Sequence, residues 1–407
     1  MSTIAPFRAL RPTPEAAARV AAVPYDVVST DEARALASGN ALSFLHVSRP
    51  EIDLPPSADP YADATYAKAV ENFGALKAAA PLEVEARPSL YVYRLRMGAH
   101  EQTGVAASFS LDEYDRDVIK KHERTRRDKE DDRTRHMLAI RAQTGPVFLT
   151  YKRASDVDAI VNRVTAGAPL FDVSAPDGVT HTIWRVNSGD DQPLIAAFGR
   201  VPALYIADGH HRAASAARAR QELRKTEGGK GDPEFDLFLG VAFPDQQMQI
   251  LPYNRVVKDL GSHTERSFLA ALSEKASVTD GGPTPSATGN VSMYLGGRWF
   301  TIGLGAAPAH LDAAERLDVS RLQDAVLGPL LGIGDVRTDK RIDFIGGARG
   351  SGELARLVDA GKAAVAFAMY PVSISDLMDI SDAGGIMPPK STWFEPKLRD
   401  GLLSHLI

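Results

Sequence analysis

The sequence predicts an α+β fold, a mixed α/β protein, on three observations. Ala203 to Ala207 is a short apolar run, Asp208 to Arg212 a polar turn containing Gly209, and the stretch from Ala213 to Arg220 is alanine-rich, which together read as strand, turn and helix. Leu90 to Leu95 and Gly104 to Leu111 read as paired strands around Gly98, and Val291 to Ile302 as a hairpin turning at Gly296-Gly297. Residues 61–80 carry Tyr66, Val70, Phe73 and Leu76 as one apolar helical stripe.

Taken in order, residues 1–60 read as irregular and proline-rich, with an extended segment and turn at Val23-Pro-Tyr-Asp-Val-Val28. Ser29 and Glu32 form a capping-box pattern for a helix through Ala37, closed by Gly39. Phe44 to Val47 reads as a strand. Residues 155–166 and 190–199 read as helices, 179–187 as a strand with Trp184, and Phe238 to Phe243 as a buried strand. Glu227 to Pro233, after the Ala-rich helix, reads as a flexible loop, and Met248 to Val257 as a strand whose internal Pro252 marks an edge or a bulge. Beyond it, 263–275, 319–327 and 351–360 read as helices, 279–289 as a linker, 363–369 as a strand and 373–380 as a short capped helix. A composition change near 260 places two domains at 1–260 and 261–407, the second packing on the first.

At 407 residues the chain is long enough for two cores, and 44% hydrophobic with 24% charged residues is the balance of a soluble globular protein. It has no cysteine, which excludes disulfides and thiolate metal sites and agrees with a reducing cytoplasm. The N-terminus lacks the basic-then-apolar pattern of a signal peptide, and no apolar run approaches the roughly 20 residues of a membrane span. A net charge of −5 argues against nucleic acid as a partner, because the overall field repels phosphates.

The chemistry concentrates at Asp208-Gly-His-His-Arg212. A strand, a glycine turn and a helix N-terminus leave unpaired N–H groups and a positive dipole end, which together form an anion site. Arg212 adds a planar fork for phosphate oxygens, and Asp208 accepts a hydroxyl proton or binds a metal. The plain alternative is a helix capped by Asp208, which needs only one of these five residues.

A second charged stretch, Lys120 to His136, runs straight into apolar residues, so it lies between core elements and can deliver Lys120, His122, Arg124 and Arg133 to a bound phosphate. By charge pattern alone it is a solvated helix face. Its Glu123 is the preferred second carboxylate, ahead of Glu51 and Asp26. His122-Glu123 is no zinc motif, since Arg126 stands where the second histidine is required. Met387 to Lys397 supplies Lys390, Ser391, Thr392 and Lys397, which are suited to a polyanion; the alternative is a tail pinned by Trp393 and Phe394.

Asp208-Gly-His-His-Arg212, after a strand and before a helix, resembles the signature of the ParB/sulfiredoxin superfamily, and most of all the form found in free-serine kinases. Ala5 to Leu10, Val23 to Asp26, His122 to Thr125, Lys129 to Arg133, Leu251 to Arg255 and Met387 to Lys397 also resemble, over nearly the whole length, a large bacterial and archaeal family built on a domain of unknown function. The superfamily resemblance implies a ParB/sulfiredoxin-like nucleotide-binding core with added N- and C-terminal α/β elements. It implies a kinase that moves a phosphoryl group from ATP or ADP, or from pyrophosphate, to the hydroxyl of free L-serine, with Mg²⁺ as cofactor. In that reading Asp208 is the base or Mg²⁺ ligand and Glu123 the second catalytic carboxylate. Gly209, His210, His211, Arg212, Lys120, His122, Arg124, Arg133, Lys390, Ser391 and Lys397 hold the nucleotide, and Arg124 or Arg133 clamps the substrate carboxylate. The sulfiredoxin reaction itself is excluded, because it needs a cysteine. The alternatives are a non-catalytic nucleotide switch of the partition-protein kind and a scaffold with no small ligand.

Overall fold

Apolar runs separated by tight glycine turns commit the middle of the chain to one large sheet. The structure, a computed structural model, describes residues 2–79, 82–226 and 233–407, and its fold is α+β. The chain divides into two compact units, Met1–Met248 with Pro396–Ile407, and Gln249–Glu395.

The sheet of the first unit has nine strands. They are β1 (Ile4–Ala5), β2 (Tyr91–Met97), β3 (His100–Ser110), β4 (Ile119–Lys120), β5 (Val147–Tyr151), β6 (Phe171–Ser174), β7 (Val179–Arg185), β8 (Leu204–Asp208) and β9 (Leu237–Pro244). The spatial order is β4-β8-β5-β9-β3-β2-β7-β6, with β1 added on β3. Pairing is mostly antiparallel, but β8 runs parallel to β4 and β9 parallel to β5. The central strands β5 and β9 are buried on both faces, which is why they read as continuous apolar runs rather than alternating ones. The helices α1 (Arg127–Ile140) and α2 (His210–Thr226) pack against each other. The alanines at 213, 216, 217 and 219 join the core with Leu149 and Ile206, and such small side chains let α2 approach its neighbours closely.

Gly104 marks the tightest step in this sheet. A Cβ there would sit 2.5 Å from the Ala242 carbonyl oxygen and 2.7 Å from the Phe243 ring. Gly104→Ala therefore overpacks the β3–β9 contact and is expected to cost about 1–3 kcal/mol. Guanidinium unfolding will show it as a lower midpoint at unchanged slope; an unchanged midpoint would mean the strands separate freely here.

The tail returns to the first unit as an integral part of it. Ser404–Leu406 pairs with Ala9–Leu10 on one side and Ala142–Gln143 on the other. Arg399 Nε donates to His181 Nε2 at 3.1 Å, and His181 Nδ1 meets the Tyr93 hydroxyl at 2.9 Å. The Asp400 backbone exchanges two hydrogen bonds with Ala22, at 2.9 and 3.1 Å.

The second unit is a six-stranded antiparallel sheet in the order 277–280, 298–303, 290–295, 365–368, 253–257 and 342–346. Helices at Glu265–Ser273, Gly350–Asp359 and Ile374–Asp382 accompany it, and Phe268, Met293 and Phe367 lie in its core. Among the described residues no helix is long and apolar enough to cross a membrane.

Several expectations need correction. Phe44–Val47 is not a strand: Leu45–Ser48 is a turn of helix, with the Ser43 hydroxyl accepting the Leu45 N–H. A short apolar run does not tell a buried strand from a buried helix, and packing among Phe44, Leu45, Val47 and Phe73 decided it. Residues 1–60 are more regular than they read, with a strand at Ala9–Pro12 and a helix at Pro14–Val20. In the helix Asp63–Ala79, Tyr66, Phe73 and Leu76 are buried, whereas Val70 is 46% exposed and off the stripe. The strand Ser277–Asp280 takes the start of the expected linker. The expected loop lies, over 227–232, outside the described residues.

Candidate functional site

The site begins with an irregularity in the sheet. β8 pairs with β5 as Tyr205 to Thr150 and Ile206 to Leu149, then skips Ala207 so that Asp208 faces Phe148. A bulge of this kind re-aims the side chain that follows it. Gly209 then turns the chain at φ +95°, and a Cβ there would lie 2.9 Å from Arg212 Nε and 3.0 Å from Cζ. Only glycine meets both conditions. α2 starts at His210, earlier than the alanine content suggested, and its first intrahelical bond runs from the Ala213 N–H to the Gly209 carbonyl. The amides of His210, His211 and Arg212 thus belong to the unpaired first turn.

Asp208 does not act as a simple cap. Its Oδ2 accepts from Arg212 Nη2 at 3.2 Å and from Lys397 Nζ at 3.3 Å, and its side chain remains 29% exposed. Burial pushes its pKa up, but the cations of Lys397 and Arg212 outweigh that and hold the carboxyl well below the usual carboxylate range. Asp26 Oδ2 lies 3.9 Å from the same Arg212 Nη2, so two partly exposed carboxylates converge on one nitrogen. Arg212 also donates from Nη1 to the Pro146 carbonyl, and its Nε is buried without a partner among the described residues.

The histidines meet the charged segment. The His122 N–H donates to His210 Nε2 at 3.4 Å, and the two rings stand edge to face with centroids 4.4 Å apart. His210 Nδ1 is 3.7 Å from Glu123 Oε2. The Arg126 N–H donates to His211 Nε2 at 3.0 Å, which leaves the proton of a neutral ring on Nδ1. Burial lowers the pKa of His122 to about 4, puts His210 well below the ordinary value, and lowers His211 too. These rings offer an anion N–H groups rather than charge. His122 Nδ1 is buried with no partner among the described residues.

The structure therefore brings together Asp208, Gly209, His210, His211, Arg212, His122, Glu123 and Lys397, with Asp26 beside them. Lys120 lies on β4, in register with Tyr205 of β8. Arg124 is exposed. Arg133 is partly buried, its Nε on Asp132 at 2.9 Å, its Nη1 on the Ser48 carbonyl at 3.1 Å and its guanidinium 4.3 Å over the Tyr25 ring. Glu51 pairs with Arg49 at 2.8 Å. Lys390 and Ser391 fold with the second unit, where the Lys390 ammonium lies over the Tyr253 ring and its carbonyl accepts from Arg255 Nη2 at 3.0 Å. The stretch Met387 to Lys397 thus divides between units, a split its composition does not announce.

Sequence reasoning missed Asp400. It is 2% exposed, and burial pushes its pKa up to about 7 although Arg212 pulls it down. It lines a cavity of about 40 Å³ with Tyr25, Ser48, Arg133, Gly145 and Arg212. In the sequence it is one acid in an ordinary charged tail, with no motif around it. Among the described residues no group of three or more histidine or acidic side chains is placed to hold a metal ion.

A search of curated proteins finds no match. Among solved structures, the chain is similar to a mutant free serine kinase in complex with ADP, at 15% identity over 74% of this chain and 92% of that one, with a TM-score of 0.35. It is similar to SbnI with a C-terminal truncation from Staphylococcus aureus, at 13% identity over 74% and 87%, with a TM-score of 0.38. A conserved hypothetical protein from Pyrococcus furiosus gives 14% identity over 74% and 95%, with a TM-score of 0.34. A family model described as protein of unknown function, DUF1015, matches residues 4–320, and with that span of its 407 residues the chain belongs to the DUF1015 family.

Proposed function

We propose that the first unit is a nucleotide-dependent phosphotransferase with a ParB/sulfiredoxin-like phosphate-binding turn, transferring a phosphoryl group from ATP or ADP to the hydroxyl of free L-serine to give O-phosphoserine. The observation that supports this most is the partly exposed Asp208 carboxylate, held ionised by Lys397 and Arg212 beside the unpaired amides that open α2. Phosphoryl transfer asks mainly for positioning and charge neutralisation, and this turn offers both.

The residues take these roles. The amides of His210 and His211, with the buried Nδ1 of His122, hold donor phosphate oxygens. Asp208 is too weak a base to take a proton at neutral pH, so it would hold the Mg²⁺ ion, which would supply neutralising charge to the donor phosphates. Arg212 positions Asp208 and Asp26 rather than gripping phosphate, because its Nη1 and Nη2 are committed inside the protein. The acceptor oxygen attacks phosphorus, the bond to the nucleotide oxygen breaks, and Asp26 takes the hydroxyl proton. Glu123 holds the His210 ring from the solvent side.

The test is formation of O-phosphoserine from L-serine with a panel of ATP, ADP, CTP and pyrophosphate in Mg²⁺. Product with an adenine nucleotide is expected. No product with any donor would remove the reading. Tight nucleotide binding without turnover, joined to a salt-dependent DNA affinity, would replace it with the nucleotide switch.

A further inference from the structure

The cavity beside the phosphate turn contains polar groups with no evident structural purpose. Asp400 is buried, yet among the described residues its carboxylate accepts no hydrogen bond and forms no ion pair. It lies over Gly145, where a Cβ would meet Asp400 Oδ1 at 3.0 Å and Arg212 Cδ at 3.2 Å. The Ser48 hydroxyl and Arg212 Nε are likewise buried without partners among the described residues. Arg133 spends Nε on Asp132 and Nη1 on the Ser48 carbonyl, and neither bond uses Nη2. A buried polar group without a partner costs free energy, so a concentration of them around one hollow points to a ligand.

The size of the hollow narrows the choice. It measures about 40 Å³. On this measure a water needs roughly 10–15 Å³ and fills about 30 Å³ of liquid, so the space holds roughly three waters. That is the bulk of a three-carbon amino acid and far less than a nucleotide. The walls carry both signs of charge, with guanidinium groups of Arg133 and Arg212 and the carboxyl of Asp400.

We propose that this cavity binds a small zwitterionic amino acid, with the ligand's carboxylate on the Arg133 guanidinium and its ammonium on Asp400. The inference deepens the phosphotransferase reading and rests on it for the identification of the ligand as the phosphoryl acceptor. Arg212 links the two places, since one side chain both lines the cavity and holds Asp208 and Asp26. The ligand's carboxylate would accept a charge-assisted hydrogen bond from Arg133 Nη2, the one nitrogen that neither Asp132 nor the Ser48 carbonyl engages.

Calorimetric titration of the full chain tests it, with L-serine, 3-hydroxypropionate (no ammonium) and ethanolamine (no carboxylate), each with and without ADP. L-Serine is expected to bind, and each truncated analogue to bind about tenfold or more weakly, since either loses one charged contact. Asp400→Asn should weaken L-serine about tenfold and leave 3-hydroxypropionate unchanged, a selectivity a purely structural role would not produce. Equal affinity for all three ligands on the unaltered chain overturns the proposal even if the variant fails to fold. ADP binding without amino-acid binding overturns it and leaves the phosphate turn standing. Amino-acid binding without phosphoryl transfer keeps the cavity and removes the kinase reading.

Discussion

The Asp208→Asn variant is expected to lose about 10²–10³-fold in phosphoryl-transfer rate while keeping its fold. Asparagine has nearly the same shape, and its amide oxygen has two lone pairs, so placed where Oδ2 lies it still accepts from both Arg212 Nη2 and Lys397 Nζ, now 3.2 and 3.3 Å away. What disappears is the negative charge that those cations hold ionised. A neutral amide would neither hold Mg²⁺ nor offset two cations, so the donor phosphates would lose the charge neutralisation that the ion would supply. Initial rates across a Mg²⁺ titration, with a thermal melt as control, check this. Asp26→Asn should also slow the reaction, but without shifting its Mg²⁺ dependence, because Asp26 is assigned the proton and not the metal. A variant at position 208 that retains wild-type rate would show that the turn binds something other than a reacting nucleotide.

What was legible in the sequence was local. The strand, glycine turn and helix at 203–226 follow from short-range chemistry, namely an apolar run, one residue that tolerates positive φ and a stretch of strong helix formers. The capping box at Ser29–Glu32 and the capped start of the helix at 373–380 are equally local, and both formed. What was not legible depends on residues far apart in the chain. Asp400 became a buried acid only because its backbone docks on Ala22 and the tail pairs with residues 9–10 and 142–143. Lys390 and Lys397, seven residues apart, looked equivalent and fold with different units. Arg212 looked like a phosphate fork, and the carbonyl of Pro146 and the carboxylate of Asp208 had claimed it first. Whether a side chain is available to a ligand depends on its competing partners inside the protein, and a single sequence does not show them.

Arg212→Met should be the most destabilising single change at this site, at roughly 3 kcal/mol, or a Tm lowered by roughly 6–12 °C. Methionine fills similar space, so the loss isolates the guanidinium. Without it the Pro146 carbonyl loses its donor, Asp26 and Asp208 face each other without the cation between them, and the nearby buried Asp400 loses its main attraction. The figure sits at the low end for breaking a buried pair because Asp208 and Asp26 keep 29% and 34% of their side chains in solvent. A double-mutant cycle separates the electrostatic part from the packing part. If the guanidinium stabilises chiefly by balancing Asp208, then Arg212→Met in an Asp208→Asn background costs clearly less than in the native chain, because the unbalanced charge is already gone. If the two losses simply add, the arginine matters for its bond to Pro146 and its packing under Gly209, and the convergence of two carboxylates on its Nη2 is without energetic weight. Arg212→Lys completes the comparison: lysine keeps the charge but cannot reach the Pro146 carbonyl and Asp208 with one planar group, so a stability near that of Arg212→Met would assign the role to geometry, and one near wild type would assign it to charge.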